Sequence, residues 1–582
     1  MTIKKFWLDQ TNLIHWYRKP LIAFIKKKNN HTHWFPDGKL NIFYNCVTKN
    51  IELGLENKVA IYFVNKEKKI QNYTYKELDE KINIFSSIIL TKLKKKVASK
   101  AKIIIHASAS IESAISMLAC AKLGVHFSVI FEDLAPEAIF KRVFLLKPDL
   151  IITRFNKINF SKNISSKIKL KKTEMIFFEN QEYFKKKVND KKISYKIVNS
   201  NKELFTLFTS GSTGVPKGIV HSSGGYLLAT KYTCMKQFGM NKQSVVLTAS
   251  DAGWLNGHTY ALFGPLSLGA TTVLLESPML LIDEVFLKQI LQLKITILYL
   301  PVTLIRMMKA IFNKKKFQTR YLKTLGSMGE HLAPSVAEWF SDTFTNKNNA
   351  IVNAYYQTEN GAIISSPTYK DKIKKIPHGS AGKPPTKYLK INKLSKTNKK
   401  EIKLLTPWPG NMMRIINGNA EWVKYWDRQG NFKMFDLGTI KNGYLFVHGR
   451  SDDVINIRGH RIGSEEIEST VLKIKEVFEC CAISIPNEME GNVIYLFVVS
   501  KDKNLSNTIL DNITSNFGAY ALPKKIYYVN ELPKTRSGKI LRRILRIILI
   551  NPKKLITDDL TIVFKKNVIN DIREKILEYE KN

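Results

Sequence analysis

Four stretches of this chain carry residue types that could act on a phosphorylated ligand. The first, Thr209-Ser-Gly-Ser-Thr-Gly-Val-Pro-Lys-Gly218, follows an apolar run that reads as a buried strand. Its glycines, Gly211 and Gly214 among them, let backbone N–H groups turn toward a ligand. Thr209, Ser210, Ser212 and Thr213 add hydroxyl donors, and Lys217 adds a positive charge, a set suited to an oligophosphate. The spacing is not that of the Walker loop, because Pro216 stands where its second glycine belongs. The second stretch, Tyr355-Tyr-Gln-Thr-Glu-Asn-Gly361, puts Thr358 and Glu359 just after a strand. The carboxyl edge of an α/β sheet is where ligands bind, and a carboxylate there can meet Mg2+ and phosphate. In the third, Asp436 could accept from two vicinal ribose hydroxyls, and Arg450 could reach the same nucleoside or its phosphate. The fourth, Pro533-Lys-Thr-Arg-Ser-Gly-Lys-Ile540, is a basic loop running into an amphipathic helix at 541–550. Taken singly, each also reads as an ordinary polar loop.

Such residues need a scaffold to bring them together. From about residue 100, strands at 101–106 and 126–131 flank a helix at 111–123, and a helix at 136–146 precedes a strand at 149–153. Residues 155–200 are lysine-rich and weakly patterned, and read as loop. The alternation resumes with a helix at 225–237 and strands at 244–249 and 271–275. Helices at 281–293, 302–312 and 335–344 then alternate with strands at 296–300, 322–327 and 351–356. This order predicts parallel sheets with helical cover. The expected fold is α/β: a large N-terminal domain of two α/β subdomains with a small β subdomain at about 367–450, then a small α+β C-terminal domain on a hinge. Residues 1–58, rich in Trp and Tyr, are expected to wrap the body at 59–450, with 451–582 as the mobile tail domain.

Composition narrows the class. With 44% hydrophobic and 24% charged residues among 582, this is ordinary globular protein. The formal charge of +43 is spread in short lysine clusters, and the abundance of Lys, Asn and Ile fits an A/T-rich coding bias. No specific nucleic-acid partner is expected, only weak, salt-sensitive binding to polyanions. The five cysteines have no C-x-x-C spacing and read as buried reduced thiols. The first residues lack a signal-peptide core, and no apolar run reaches the roughly 18–20 residues of a membrane span, so the expected compartment is the cytoplasm.

Together and in this order, the stretches resemble the adenylate-forming superfamily of acyl-CoA synthetases, luciferases and peptide-synthetase adenylation domains. The closest likeness is to the AMP-forming acetyl- and propionyl-CoA synthetases. Trp34-Phe-Pro-Asp-Gly-Lys-Leu-Asn41, Asp251-Ala-Gly-Trp-Leu-Asn-Gly-His-Thr-Tyr260, Gly326-Ser-Met-Gly-Glu330 and Ile457-Arg-Gly-His-Arg-Ile-Gly463 carry it. The resemblance implies ATP, Mg2+ and CoA, and a short carboxylic acid activated as acyl-AMP and passed to CoA or another acyl acceptor. It implies that residues Thr209 to Gly214 and Lys217 hold phosphates, Glu359 holds Mg2+ and Thr358 meets the α-phosphate. Gly329, Glu330, His331, Asn353, Ala354, Tyr355 and Gln357 would surround the adenosine, with Asp436 and Arg450 at the ribose. Lys539 would act in adenylation, Asp452 as the hinge, and Arg461 in the thioester half. Trp254, Leu255, Asn256, Met328 and Tyr356 would shape a pocket for acids of about two to four carbons.

The departures lie on the CoA side. Phe131-Glu-Asp133 stands where the family has Phe-Gly-Gly, Thr514 replaces an arginine, Arg458 a serine and Met279 an asparagine. Two added carboxylates beside a phosphate-bearing ligand would repel it. A non-CoA acceptor is the alternative this asymmetry raises, and a non-catalytic polyanion-binding relative is a weaker one.

Overall fold

The computed structural model describes residues 1–93, 100–132, 134, 136–154, 173–178, 193–209, 216–312, 315–317, 319–330, 332–344, 349–377, 379–416, 418–451, 454–457, 460–487, 491–534, 540–552 and 567–581. Apolar β-branched runs form the centres of two seven-stranded sheets. The first runs Arg414–Ile416, Lys217–Ser222, Glu203–Thr209, His126–Ile130, Lys102–His106, Leu150–Thr153 and Glu174–Phe177. Its last five strands are parallel, and Lys217–Ser222 is antiparallel to both neighbours. The second runs Val352–Asn353, Thr324–Met328, Ile297–Pro301, Val245–Thr248, Thr271–Leu275, Val59–Val64 and Ile70–Thr74. Only its terminal hairpin is antiparallel.

Strands buried on both faces read as continuous apolar runs, as Ile103 to Ile105 and Thr271 to Leu275 do. Helices cover them. Helix Ile111–Leu123 opens on a Ser110/Ser113 capping box and ends at Gly124, whose φ of 64° suits the left-handed cap. A three-stranded antiparallel sheet, Lys400–Leu404, Phe432–Lys441 and Tyr444–Arg450, forms the β unit. That unit is not separate from the body, since Arg414–Ile416 leaves it to edge the first sheet.

At the N-terminus, helix Ile3–Gln10 buries Trp7 edge-on to Trp34, Tyr232 and Trp408. Toward the C-terminus, strands Val477–Asn487, Gly491–Ser500 and Lys525–Tyr528 form a separate sheet. Alternate residues feed its two faces: Cys480 and Ala482 enter one core with Ile467 and Ile509, while Cys481 and Ile483 enter another with Ile544 and Ile572.

Candidate active site

The antiparallel ladder that ends the first sheet sets Thr209 opposite Lys217, so the two ends of the phosphate-loop stretch are held side by side. Lys217 Nζ pairs with Glu421 at 2.9 Å and lies 5.7 Å from the centre of the Tyr425 ring. The Tyr425 hydroxyl donates to Glu359 Oε1 at 2.7 Å. Burial and the Glu359 carboxylate both push the phenol pKa up, which keeps the proton on this donor. Tyr425 also meets Phe435 edge-on at 5.2 Å, and the Arg450 guanidinium sits 5.6 Å from the Phe435 centroid.

Beside Phe435, Asp436 Oδ2 accepts from the Tyr355 hydroxyl at 2.7 Å and from Gln357 Nε2 at 2.6 Å. Arg450 Nη1 lies 3.7 Å from Asp436 Oδ1, and the two residues face each other in register across the hairpin. Phe435 itself has φ of 54°, a left-handed conformation uncommon for an aromatic residue, next to a bulge between Asp436 and Gly438. Lys217, Glu359, Asp436 and Arg450 therefore join through one continuous run of contacts, although they come from three distant segments.

The turn that carries Glu359 is fixed from below. His221 Nε2 donates to the Thr358 carbonyl at 2.8 Å, and burial lowers this histidine to about 4, so it is a neutral imidazole. The Met412 N–H reaches the Glu359 carbonyl at 2.7 Å, and the Trp408 indole reaches the Asn360 carbonyl at 3.0 Å. Among the described residues Glu359 Oε2 has no hydrogen-bond partner, so one carboxylate oxygen fits Mg2+. That ion takes few protein oxygens and completes its shell with phosphate and water.

Of the residues expected around the adenosine, Gly329 has φ of 90°, and a Cβ there would meet nothing within 4 Å. Glu330 is ion-paired with Arg306. Asn353 accepts from Ser327 at 3.1 Å and donates to the Ser380 carbonyl at 3.0 Å, and the Ala354 N–H reaches Ser327 O at 3.0 Å.

In the acyl region Leu255 and Met328 are buried, and Tyr356 packs edge-on against Tyr260 at 5.8 Å. The Tyr356 and Tyr299 hydroxyls are 3.3 Å apart. Trp254 Nε1 and Asn256 Oδ1 are buried without hydrogen-bond partners among the described residues.

Ser210, Gly211, Ser212, Thr213, Gly214, His331, Asp452 and Lys539 lie outside the described residues, as do Asp133 and Arg458. Of Arg461 only the backbone is described, in strand His460–Gly463 opposite Asn456. Sequence reasoning missed Tyr425, Glu421, His221 and Tyr299. Glu421 and Tyr425 stand four apart in an aromatic-rich segment around helix Asn419–Lys424, a helical spacing that could have been read as one face.

Among the departures, Glu132 does not stand as a bare charge. Its Oε2 accepts from the Ser108 N–H at 3.3 Å and lies 3.5 Å from Arg154 Nη1, which also reaches Glu276 at 2.9 Å. Thr514 sits in helix Ser506–Phe517.

The AMP-binding enzyme family matches residues 53–400, the AMP-binding enzyme C-terminal domain residues 466–539, and the acetyl-coenzyme A synthetase N-terminus residues 2–46. The acetyl-coenzyme A synthetase of Leptospira biflexa is 33% identical, over 93% of this chain and 89% of the relative. That of Helicobacter pylori is 31% identical, over 93% and 88%. That of Streptomyces avermitilis is 30% identical, over 98% and 92%. Among solved structures, an anthranilate CoA ligase in complex with anthranoyl-AMP superposes with a TM-score of 0.76 at 21% identity. That match covers 87% of this chain and 97% of the other and shows a shared fold.

Proposed function

The chain belongs to the AMP-binding enzymes and, within them, to the acetyl-coenzyme A synthetase family of AMP-forming acid–thiol ligases that use ATP, Mg2+ and CoA; on that premise we propose that its substrate is a carboxylic acid of about two to four carbons. The observation that carries this reading is the run of contacts from Lys217 through Tyr425 and Glu359 to Asp436 and Arg450. It brings into one neighbourhood a cation, a carboxylate suited to Mg2+ and a carboxylate suited to ribose hydroxyls.

In this reading Thr209 to Gly214 and Lys217 hold the β- and γ-phosphates, Thr358 meets the α-phosphate, and Asp436 accepts from the ribose. Lys539 neutralises charge as the carboxylate attacks, and loss of one such donor costs on the order of 10²–10³ in rate. Residues 451–582 act as a tail domain pivoting at Asp452, which would exchange Lys539 for Arg461 between the two half-reactions. Bulky Leu255, Met328 and Tyr356 exclude long chains. Glu132 bears on the acceptor: because Arg154 pairs with it, its charge is compensated inside the protein, which favours CoA over the alternative acceptor.

ATP–pyrophosphate exchange over a panel of short carboxylates, with and without CoA, tests the proposal. Exchange with two- to four-carbon acids and acyl-CoA formed on adding CoA are expected; silence with all of them overturns it. The Lys539→Ala variant should lose acyl-AMP formation yet still convert supplied acyl-AMP to thioester, and equal loss of both halves would contradict the exchange of roles.

A further inference from the structure

Hydrogen-bond accounting in the acyl region does not close with side chains alone. Asn256 lies in the helical turn Leu255–His258, one turn ahead of Tyr260 and on the same face, and Tyr260 packs against Tyr356. Its Oδ1 is buried with no partner among the described residues. At the floor, the Tyr299 and Tyr356 hydroxyls bond only to each other among those residues, at 3.3 Å. Two hydroxyls share two protons and need one for their mutual bond, so one O–H remains to donate elsewhere. Neighbouring Tyr260 has no such surplus, because its oxygen already meets Thr233 at 3.0 Å and the Ile363 N–H at 2.8 Å. Among the described residues the region thus leaves one acceptor unused, Asn256 Oδ1, and two donors, Trp254 Nε1 and one O–H of the tyrosine pair, beside the aromatic cluster that holds Met328.

We propose that the preferred acid carries a hydroxyl on C2 or C3, donating to Asn256 and accepting from the Tyr299/Tyr356 pair. This rests on the reading of a short-acid ligase and narrows its substrate class. An alkyl group answers neither polar atom, and a keto or amino group answers only one of them. A hydroxyl also answers the amide whichever of its two ends faces inward, since it donates and accepts. Leaving buried polar groups unpaired is what makes a hydrogen-bonding pocket reject the analogue that lacks the group.

The test compares kcat/KM in ATP–pyrophosphate exchange for propionate, lactate and 3-hydroxypropionate, and for acetate against glycolate. At least one hydroxy acid should exceed its parent by about 10-fold or more. Asn256→Leu, which keeps the branched shape, and the double variant Tyr299→Phe/Tyr356→Phe, which removes both hydroxyls, should each lower that ratio at least about threefold, a readout that a general loss of folding or activity does not move. A wild-type ratio of one or less for every pair overturns the inference alone, as do variants that keep the wild-type ratio. Silence with every acid overturns the short-acid reading as well.

Discussion

Tyr425 shows most plainly what a single side chain does here. Its hydroxyl holds one oxygen of Glu359, while its ring carries Lys217 and meets Phe435 edge-on. A neutral donor on a carboxylate contributes about 1.5–3 kcal/mol, so Tyr425→Phe should lower kcat/KM for ATP about 10-fold and raise the Mg2+ concentration needed for half-maximal rate. An unchanged Mg2+ titration would remove Tyr425 from this role. The residues that the sequence exposed, Glu359 and Asp436, stand in short stretches of distinctive residue types, although Gln357 and Tyr355 reach Asp436 from 79 and 81 residues away. Tyr425 and His221 stand in no such stretch: His221 carries no local mark, and Tyr425 only its four-residue spacing from Glu421.

Among the elements, the turn Thr358–Asn360 is held by close backbone approach rather than by side-chain bulk. Gly361 has φ of 68°, and a Cβ there would come within 2.3 Å of the Gly410 carbonyl, a backbone atom that cannot swing aside. Gly361→Ala should therefore push the 408–412 loop away, break the Met412 and Trp408 bonds to this turn, and lower kcat with little change in the far C-terminal core. Thermal melts read beside exchange rates would check this; near-normal kcat would mean that the loop yields freely. Elements with strong local signals were legible. The Asn442-Gly443 turn, with φ of 52° and 78°, has the geometry that Asn-Gly favours in a two-residue hairpin, and it joins the strands that carry Asp436 and Arg450 within the expected β subdomain. Strands 59–64 and 70–74 were not assigned, because the hairpin they form enters a sheet only through Thr271–Leu275, which pairs with 59–64 from some two hundred residues on. The edge strand Glu174–Phe177, in a stretch read as loop, is short and flanked by lysine-rich chain, so its β pattern hardly registers locally.

At the scale of the molecule, four histidines are sealed in the core: His106, His126 and His221 are lowered to about 4 and His258 to about 3, each chiefly by burial. Unfolded, each would titrate near 6.5, so between that value and the folded one the unfolded chain binds the extra proton. Their contribution to stability is whole above about pH 6.5 and drains away as the pH falls toward 4, by up to about 1.4 kcal/mol per pH unit for each histidine. Urea midpoints should drop between pH 7 and 5. His258→Phe, placed among Phe127, Phe205 and Phe263, should flatten that decline, and an unaltered slope would contradict it. The return of Arg414–Ile416 to the edge of the first sheet has a further consequence for integrity. The exposed turn at Lys396–Asn398 lies between the body and everything that follows, yet Trp408, Met412 and Arg414 reach back across it to grip Asn360, Glu359 and Val220. A protease cutting that turn would sever the polymer without separating the pieces, and the phosphate end and the ribose end of the cleft would remain clasped as a two-fragment enzyme.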